Sequence, residues 1–209
     1  MWRFRIQNLV LSSLVILSLG CKPTGYLYPV QVEKQPCLAN LEPSFSTVLY
    51  NAQVNVAGKH LSGIVLFKTM PDSSKRVIFT NEMGVTYFDY EFRKEGFRVV
   101  SSVKLMNKKV VINRLRNDLS LLLLHGFDLG NPDILASGNE SYYAYSRARE
   151  QVYFITDAIC SRLTRIETAS DKKKKIIVNL TGDGPGMPDS VYLAHQSFEY
   201  NITLKKIIR

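Results

Sequence analysis

Histidine, cysteine and tryptophan are scarce in this chain: three, three and one among 209 residues. His60, His125 and His195 fall in a turn, at a helix end and in a strand, and no two share the spacing that holds a metal ion. No glycine-flanked serine elbow occurs, so a serine nucleophile has nothing to rest on. The stretch Gly182-Asp183-Gly184-Pro185-Gly186 is glycine-rich but precedes a strand and lacks a following Gly-Lys-Ser or Gly-Lys-Thr, which excludes a phosphate-binding loop. Asp89 and Glu91 share a strand face, yet their alternation with Phe88, Tyr90 and Phe92 accounts for them as the polar side of a half-buried strand. No catalytic, metal or cofactor residue is therefore expected, and the chain does not read as an enzyme.

A run long enough to cross a bilayer is also missing. The apolar stretch Leu9 to Leu19 is too short to span, and it follows Arg3 and Arg5 and precedes the small residue Gly20. A basic start, a short apolar segment and a small residue at a cut site describe a removed leader. The sequence Leu17-Ser18-Leu19-Gly20-Cys21 resembles the bacterial lipobox, which implies that residues 1–20 are a lipoprotein signal peptide and that Cys21 becomes the fatty-acylated first residue. The alternative is an N-terminal membrane anchor, and the lack of apolar continuation after Lys22 argues against it. Residues 21–44 contain Pro23, Gly25, Pro29, Pro36 and Pro43 with little periodicity and read as the lipidated cysteine and its flexible tether. Residues 45–209 are expected to form one domain.

Negative charge is in deficit. The net charge is +9, and +7 without Arg3 and Arg5. In an exported, lipid-anchored protein the nearest anions are headgroups and acidic envelope proteins, so nucleic acid is not an expected partner. Lys172 to Lys175 read as a solvated hairpin tip, with a headgroup-binding patch as the competing reading. Cys37 and Cys160 are a candidate disulfide in an oxidising compartment, while Cys160, between Ile159 and Leu163, also reads as a buried thiol inside a late strand.

From Phe45 onward the chain reads as antiparallel β, rich in Val, Ile, Tyr, Phe and Thr with frequent turns. Strands are predicted over 46–56, 61–68, 76–80, 88–92, 97–101, 142–147, 151–156, 159–167 and 176–180, with a closing hairpin over 187–207. The period changes over 104–124, where Val111, Leu115, Leu119 and Leu122 recur at helical spacing and Arg114, Arg116 and Asp118 take other faces. Leu121 to Leu124 cannot all point one way, so the last turn is expected to be deeply buried. Residues 125–140 read as a long loop carrying apolar side chains. The fold class is mainly β: a curved antiparallel sheet forming a half-open β-barrel packed on one amphipathic helix.

The segments Leu61-Ser62-Gly63 to Phe67-Lys68, Arg76-Val77-Ile78-Phe79-Thr80-Asn81-Glu82-Met83-Gly84 and Phe88-Asp89-Tyr90-Glu91-Phe92, with the helical interruption and the closing hairpin, resemble the LolA/LolB superfamily of envelope lipoproteins. The resemblance implies a half-barrel capped by helices and a carrier or receptor for lipoproteins. On this reading Phe88, Tyr90, Phe92, Tyr200 and Ile202 line an apolar groove for an acyl chain or a lipoprotein's lipid, and Phe127, Leu129, Ile134 and Leu135 gate it. The location implied is the outer membrane, facing the periplasm. The alternative is a scaffold or assembly lipoprotein with a filled core that binds an envelope protein.

Overall fold

The computed structural model describes residues 30–31, 36–147, 150–170, 173–182 and 186–208. The expected leader, Cys21 and most of the expected tether lie outside the described residues.

Among the described residues, thirteen strands form one open antiparallel sheet. They are β1 (Val30–Gln31), β2 (Thr47–Val56), β3 (Lys59–Thr69), β4 (Lys75–Thr80), β5 (Thr86–Arg93), β6 (Gly96–Ser102), β7 (Asp133–Ser137), β8 (Glu140–Arg147), β9 (Glu150–Asp157), β10 (Leu163–Ala169), β11 (Lys174–Thr181), β12 (Ser190–His195) and β13 (Tyr200–Lys206). A helix, α1 (Lys109–Leu122), stands between β6 and β7. The sheet order is β1-β7-β8-β9-β10-β11-β12-β13-β2-β3-β4-β5-β6. Two meanders, β2 to β6 and β7 to β13, are thus joined twice: by α1, and by the pairing of β13 with β2, where Ile202 faces Val54 and Leu204 faces Ala52.

Alternation explains the strands. In β2 the inward residues Tyr50, Ala52 and Val54 are buried while Asn51 and Gln53 are exposed. The same face carries Val65, Phe79 and Phe88 across β3, β4 and β5, in register through the pairs Val65 with Phe79 and Phe79 with Phe88. Val54, Val65, Phe79, Phe88, Leu193 and Ile202 come from six consecutive strands, yet all border one void of about 30 Å³ beneath α1. Laid flat, six strands would span roughly 24 Å. Only a sheet curled around the helix brings them to one point, and the half-barrel predicted from the sequence is this arrangement.

The helix buries Leu115, Asp118, Leu119 and Leu122 as one stripe against that concave face. Each leucine contributes about 2 kcal/mol of apolar burial. Leu121, Leu123 and Leu124 are buried as well, as the leucine run predicts. The helix is shorter than the predicted 104–124. Residues before it form a tight turn in which the backbone N–H groups of Met106 and Asn107 donate to the Val103 carbonyl. At the other end Leu124 and Gly126 adopt positive φ, 49° and 81°, which stops the helix.

Four expectations need correction. The long loop over 125–140 contains β7, which pairs with β8 around a Gly138-Asn139 turn; Ile134-Leu135-Ala136 is too short a run to stand out, but Gly-Asn between two strand-like runs is a two-residue hairpin signal. The tether does not extend to residue 44: Leu38 and Leu41, in a 3₁₀ turn over Leu38–Leu41, are buried in the core, because two leucines three apart on such a turn share one face. The strand predicted from Ile159 begins at Leu163, and Cys160 sits in the preceding turn with φ 55°. Finally, the charged side of β5 is not solvated: Asp89 and Glu91 are only 7% and 5% exposed. Arginines cover them. Arg76 forks onto Asp89, and Arg98 Nε donates to Glu91 Oε2 at 2.8 Å with Arg93 at 2.9 Å beside it.

Cys37 and Cys160 are joined as a disulfide, with Cα atoms 6.5 Å apart and a sequence separation of 123. The bridge ties the segment before the 3₁₀ turn to the β9–β10 turn.

Candidate functional site

The curl of the sheet and the helix lying in it decide where space is left. Beneath the middle of α1 the concavity is filled. The 30 Å³ void there, bordered by Phe88 and Ile202, is too small for an acyl chain. Tyr90 packs edge-on against Phe97 at 5.2 Å and Phe92 against Phe97 and His125 at 5.2 and 5.4 Å, so both belong to the packed wall. Of the five expected groove residues, only Tyr200 reaches open space.

That space is a groove of about 320 Å³ at the N-terminal half of α1, between the helix, the β2–β3 hairpin and the start of β13. Its floor is Val54, Leu61, Val111, Leu115 and Tyr200. Leu105, Val110 and Phe198 stand at its edges, 49%, 79% and 43% exposed. Three large apolar side chains left in water around one concavity are an unspent hydrophobic surface. Tyr200 is held by ring contacts, stacked on Phe198 at 5.8 Å and tilted against His195 at 4.7 Å. Burial above all, then the charge of Asp118, pushes its phenol well above 10, so it remains neutral.

Cations ring the groove: Lys59, Lys108 and Arg114 line it, and no carboxylate does. The Arg114 guanidinium sits over the Phe198 ring at 5.1 Å, and its Nη1 is 3.4 Å from His195 Nδ1. Behind the groove wall, His195 Nε2 lies 3.1 Å from both oxygens of the fully buried Asp118. With Arg114 donating to Nδ1, the network assigns the imidazole proton to Nε2 and its donation to Asp118.

The residues expected as a gate are elsewhere. Phe127 lines a second cleft of about 770 Å³ at the C-terminal half of α1, together with Arg116, Ser120 and His125. Leu129, Ile134 and Leu135, in the following turn and β7, border neither the groove nor this cleft. The second cleft carries both signs of charge, with Lys94, Arg116 and Arg147 opposite Glu95, Asp128 and Asp133. Burial, then the charges of Lys75 and Arg116, hold the His125 imidazole below its usual 6.5.

Sequence reading missed Leu105, Met106, Val110, Phe198, Arg114, Asp118 and His195. Two signals were available. Val110 follows Lys108-Lys109 at the start of an amphipathic segment without belonging to its apolar stripe, and Asp118 falls at i+3 from Leu115, on that stripe rather than opposite it. Among the described residues there is no cluster of three or more His, Cys, Asp or Glu side chains able to hold a metal, and no helix is long and apolar enough to cross a membrane.

No protein-family model matches this chain, and no curated protein matches its sequence. Solved structures do resemble it. A DUF1329 family protein from Desulfovibrio piger aligns over 83% of this chain and 92% of its own, at 12% identity and a TM-score of 0.44. A LolA superfamily protein from Nitrosomonas europaea aligns over 80% of this chain and 85% of its own, at 11% identity and a TM-score of 0.45. A domain described as an outer membrane lipoprotein-sorting protein, from Vibrio parahaemolyticus, aligns over 81% and 87%, at 7% identity and a TM-score of 0.44.

Proposed function

We propose that the protein is a non-enzymatic, lipid-anchored envelope lipoprotein that holds an acyl chain, or the acyl chain of a lipoprotein cargo, in the groove beside α1. The observation that carries this reading is the groove itself: an apolar channel open to solvent, edged by Leu105, Val110 and Phe198. Each methylene moved from water into it contributes about 0.8 kcal/mol, so a modest length of chain competes with a bilayer for residence. The leader and the lipobox-like Leu17 to Cys21 support anchoring at the outer membrane, facing the periplasm. The site is the flank of the helix, and Phe88, Tyr90, Phe92 and Ile202 serve as the wall that supports it.

A fluorescent fatty acid titrated into the protein produced from Lys22 onward, which retains every described residue, should bind saturably with one probe per chain. Placing carboxylates at the edges, Leu105→Asp with Val110→Asp, should weaken binding at least tenfold without changing the unfolding midpoint, because both positions are exposed. Equal binding by this variant would move the site away from the groove. The filled concavity under α1 favours one second reading, in which the groove receives apolar side chains of an envelope protein; an intact protein that takes up no acyl probe leaves that reading standing. Anchoring has its own check, the mass of the mature N-terminus, which should be an acylated Cys21.

A further inference from the structure

The groove's rim has a chemistry that its floor does not need. We infer that the groove selects amphiphiles whose headgroup is anionic, specifically single acyl chains of an anionic phospholipid, and that Lys59, Lys108 and Arg114 form the headgroup subsite. This rests on the acyl-chain reading above and deepens it.

The three cations come from separate places, the first residue of β3, the residue before α1 and the second turn of α1, yet they converge on one apolar channel. None of them makes an ion pair among the described residues, whereas Lys75, Arg76, Arg93, Arg98, Arg165, Lys174, Lys175 and Lys206 all do. From Gly96 to Asn117 the chain contains no Asp or Glu, while Lys104, Lys108, Lys109, Arg114 and Arg116 fall in the same stretch, and Glu199, between Phe198 and Tyr200, does not line the groove. Asp118, behind the wall, does not line the groove and is occupied by His195. Three cations without an ion pair, around an apolar channel that no carboxylate lines, are complementary to a molecule with a greasy tail and a negative head.

Arg114 is the most organised of the three. Its stacking on Phe198 and its contact with His195 Nδ1 restrain the guanidinium, so the fork is set at the mouth before a ligand arrives. A planar fork pairs with phosphate oxygens in a bidentate way that an ammonium cannot reproduce. Lys59 and Lys108 act as point charges around it. The groove's volume, about 320 Å³, lies at the small end of ligand pockets and suits one chain rather than two.

The test compares lysophosphatidylglycerol with lysophosphatidylcholine of the same chain length, both as monomers, on the protein produced from Lys22 onward. The anionic lipid should bind about tenfold more tightly, the increment expected from three exposed charge contacts. The preference should vanish in 1 M salt, where charges are screened beyond roughly 3 Å. The variant K59Q/K108Q/R114Q should bind both lipids alike, at the affinity of the zwitterionic one, and R114K should lose more selectivity than K59R. Glycerol phosphate alone should not bind detectably; if it binds as well as the lysolipid, the site is for a free phosphate and the inference is wrong. Equal binding of the two lipids by the wild type overturns the headgroup subsite while leaving the acyl-chain reading intact. Failure to bind either lipid overturns the acyl-chain reading itself.

Discussion

Asp118, on the buried stripe of α1, has both carboxylate oxygens 3.1 Å from Nε2 of His195 on β12. The pair pins the helix to the middle of the concave sheet, and His195 in turn presents Nδ1 to Arg114 at the groove. Removing one partner leaves the other buried and unpaired. Asp118→Ala and His195→Ala should therefore each lower stability by about 3 kcal/mol in urea unfolding. The double variant should lose clearly less than the sum, and strict additivity would show that the two side chains do not act together.

A second ion cluster sets acid stability. Arg165 donates from both Nη groups to the two oxygens of Glu140 at 2.8 Å, and from Nε to the buried Glu167 at 2.7 Å. The Arg165 hydrogen bonds hold the Glu140 carboxyl below its usual 4.5. A carboxyl lowered in the folded state stabilises above the unfolded value, and that contribution is lost as pH falls through the folded one. Glu140→Gln should be less stable than the parent at neutral pH, with the gap closing below about pH 4.5. A gap that stays constant with pH would assign the loss to packing alone.

Tyrosines govern the alkaline side. Burial pushes Tyr90 to about 12, and burial with the charge of Asp128 pushes Tyr145 to about 12, against an ordinary 10.0. Between these values the unfolded chain gives up phenolic protons that the folded chain keeps, so stability is full below pH 10 and falls as pH rises toward 12. Phenolate absorbance should appear late and together with unfolding. Tyr90→Phe should make that fall shallower.

The bridge between Cys37 and Cys160 closes a loop of 123 residues. A crosslink over so long a span restricts the unfolded chain strongly, and Cys37→Ser with Cys160→Ser should reduce stability by about 4 kcal/mol. Thiol labelling of the denatured, unreduced protein should find neither cysteine reactive; labelling at both would show that the bond does not form.

Gly63 leaves no room for a side chain beside the neighbouring strand. A Cβ there would meet the Thr80 carbonyl oxygen and lie 2.8 Å from the Asn81 Cα. Gly63→Ala should force β3 and β4 apart and destabilise the protein by about 2 kcal/mol, whereas Gly84→Ala, at a turn with open space, should lose only the smaller cost of its positive φ.

Most of the architecture could be read in advance because period-2 alternation is loud in β2, β5 and β13, and the switch to helical spacing at Val111, Leu115, Leu119 and Leu122 is just as clear. The site was far less legible. Alternation tells which side chains point inward, but not whether the inward space is already filled. Phe88, Tyr90, Phe92 and Ile202 do point into the concavity, and α1 occupies it. The residues left in the open, Leu105, Val110 and Phe198, belong to short irregular segments and the helix start, where periodicity carries no information. Buried charge misled in the same way. Asp118, Asp89 and Glu91 read as solvent-facing because their partners, His195, Arg76, Arg93 and Arg98, approach across strands or from a different element.

The seam between β2 and β13 makes the last strand the keystone of the whole molecule. Each meander can zip up hairpin by hairpin from neighbours in sequence, but the halves meet only when Tyr200–Lys206 slots in beside Thr47–Val56, a partnership across some 150 residues. Until that strand arrives, two incomplete sheets wait with sticky borders and α1 has half a cradle. Loss of the final ten residues should thus ruin the protein outright rather than fray one end of it.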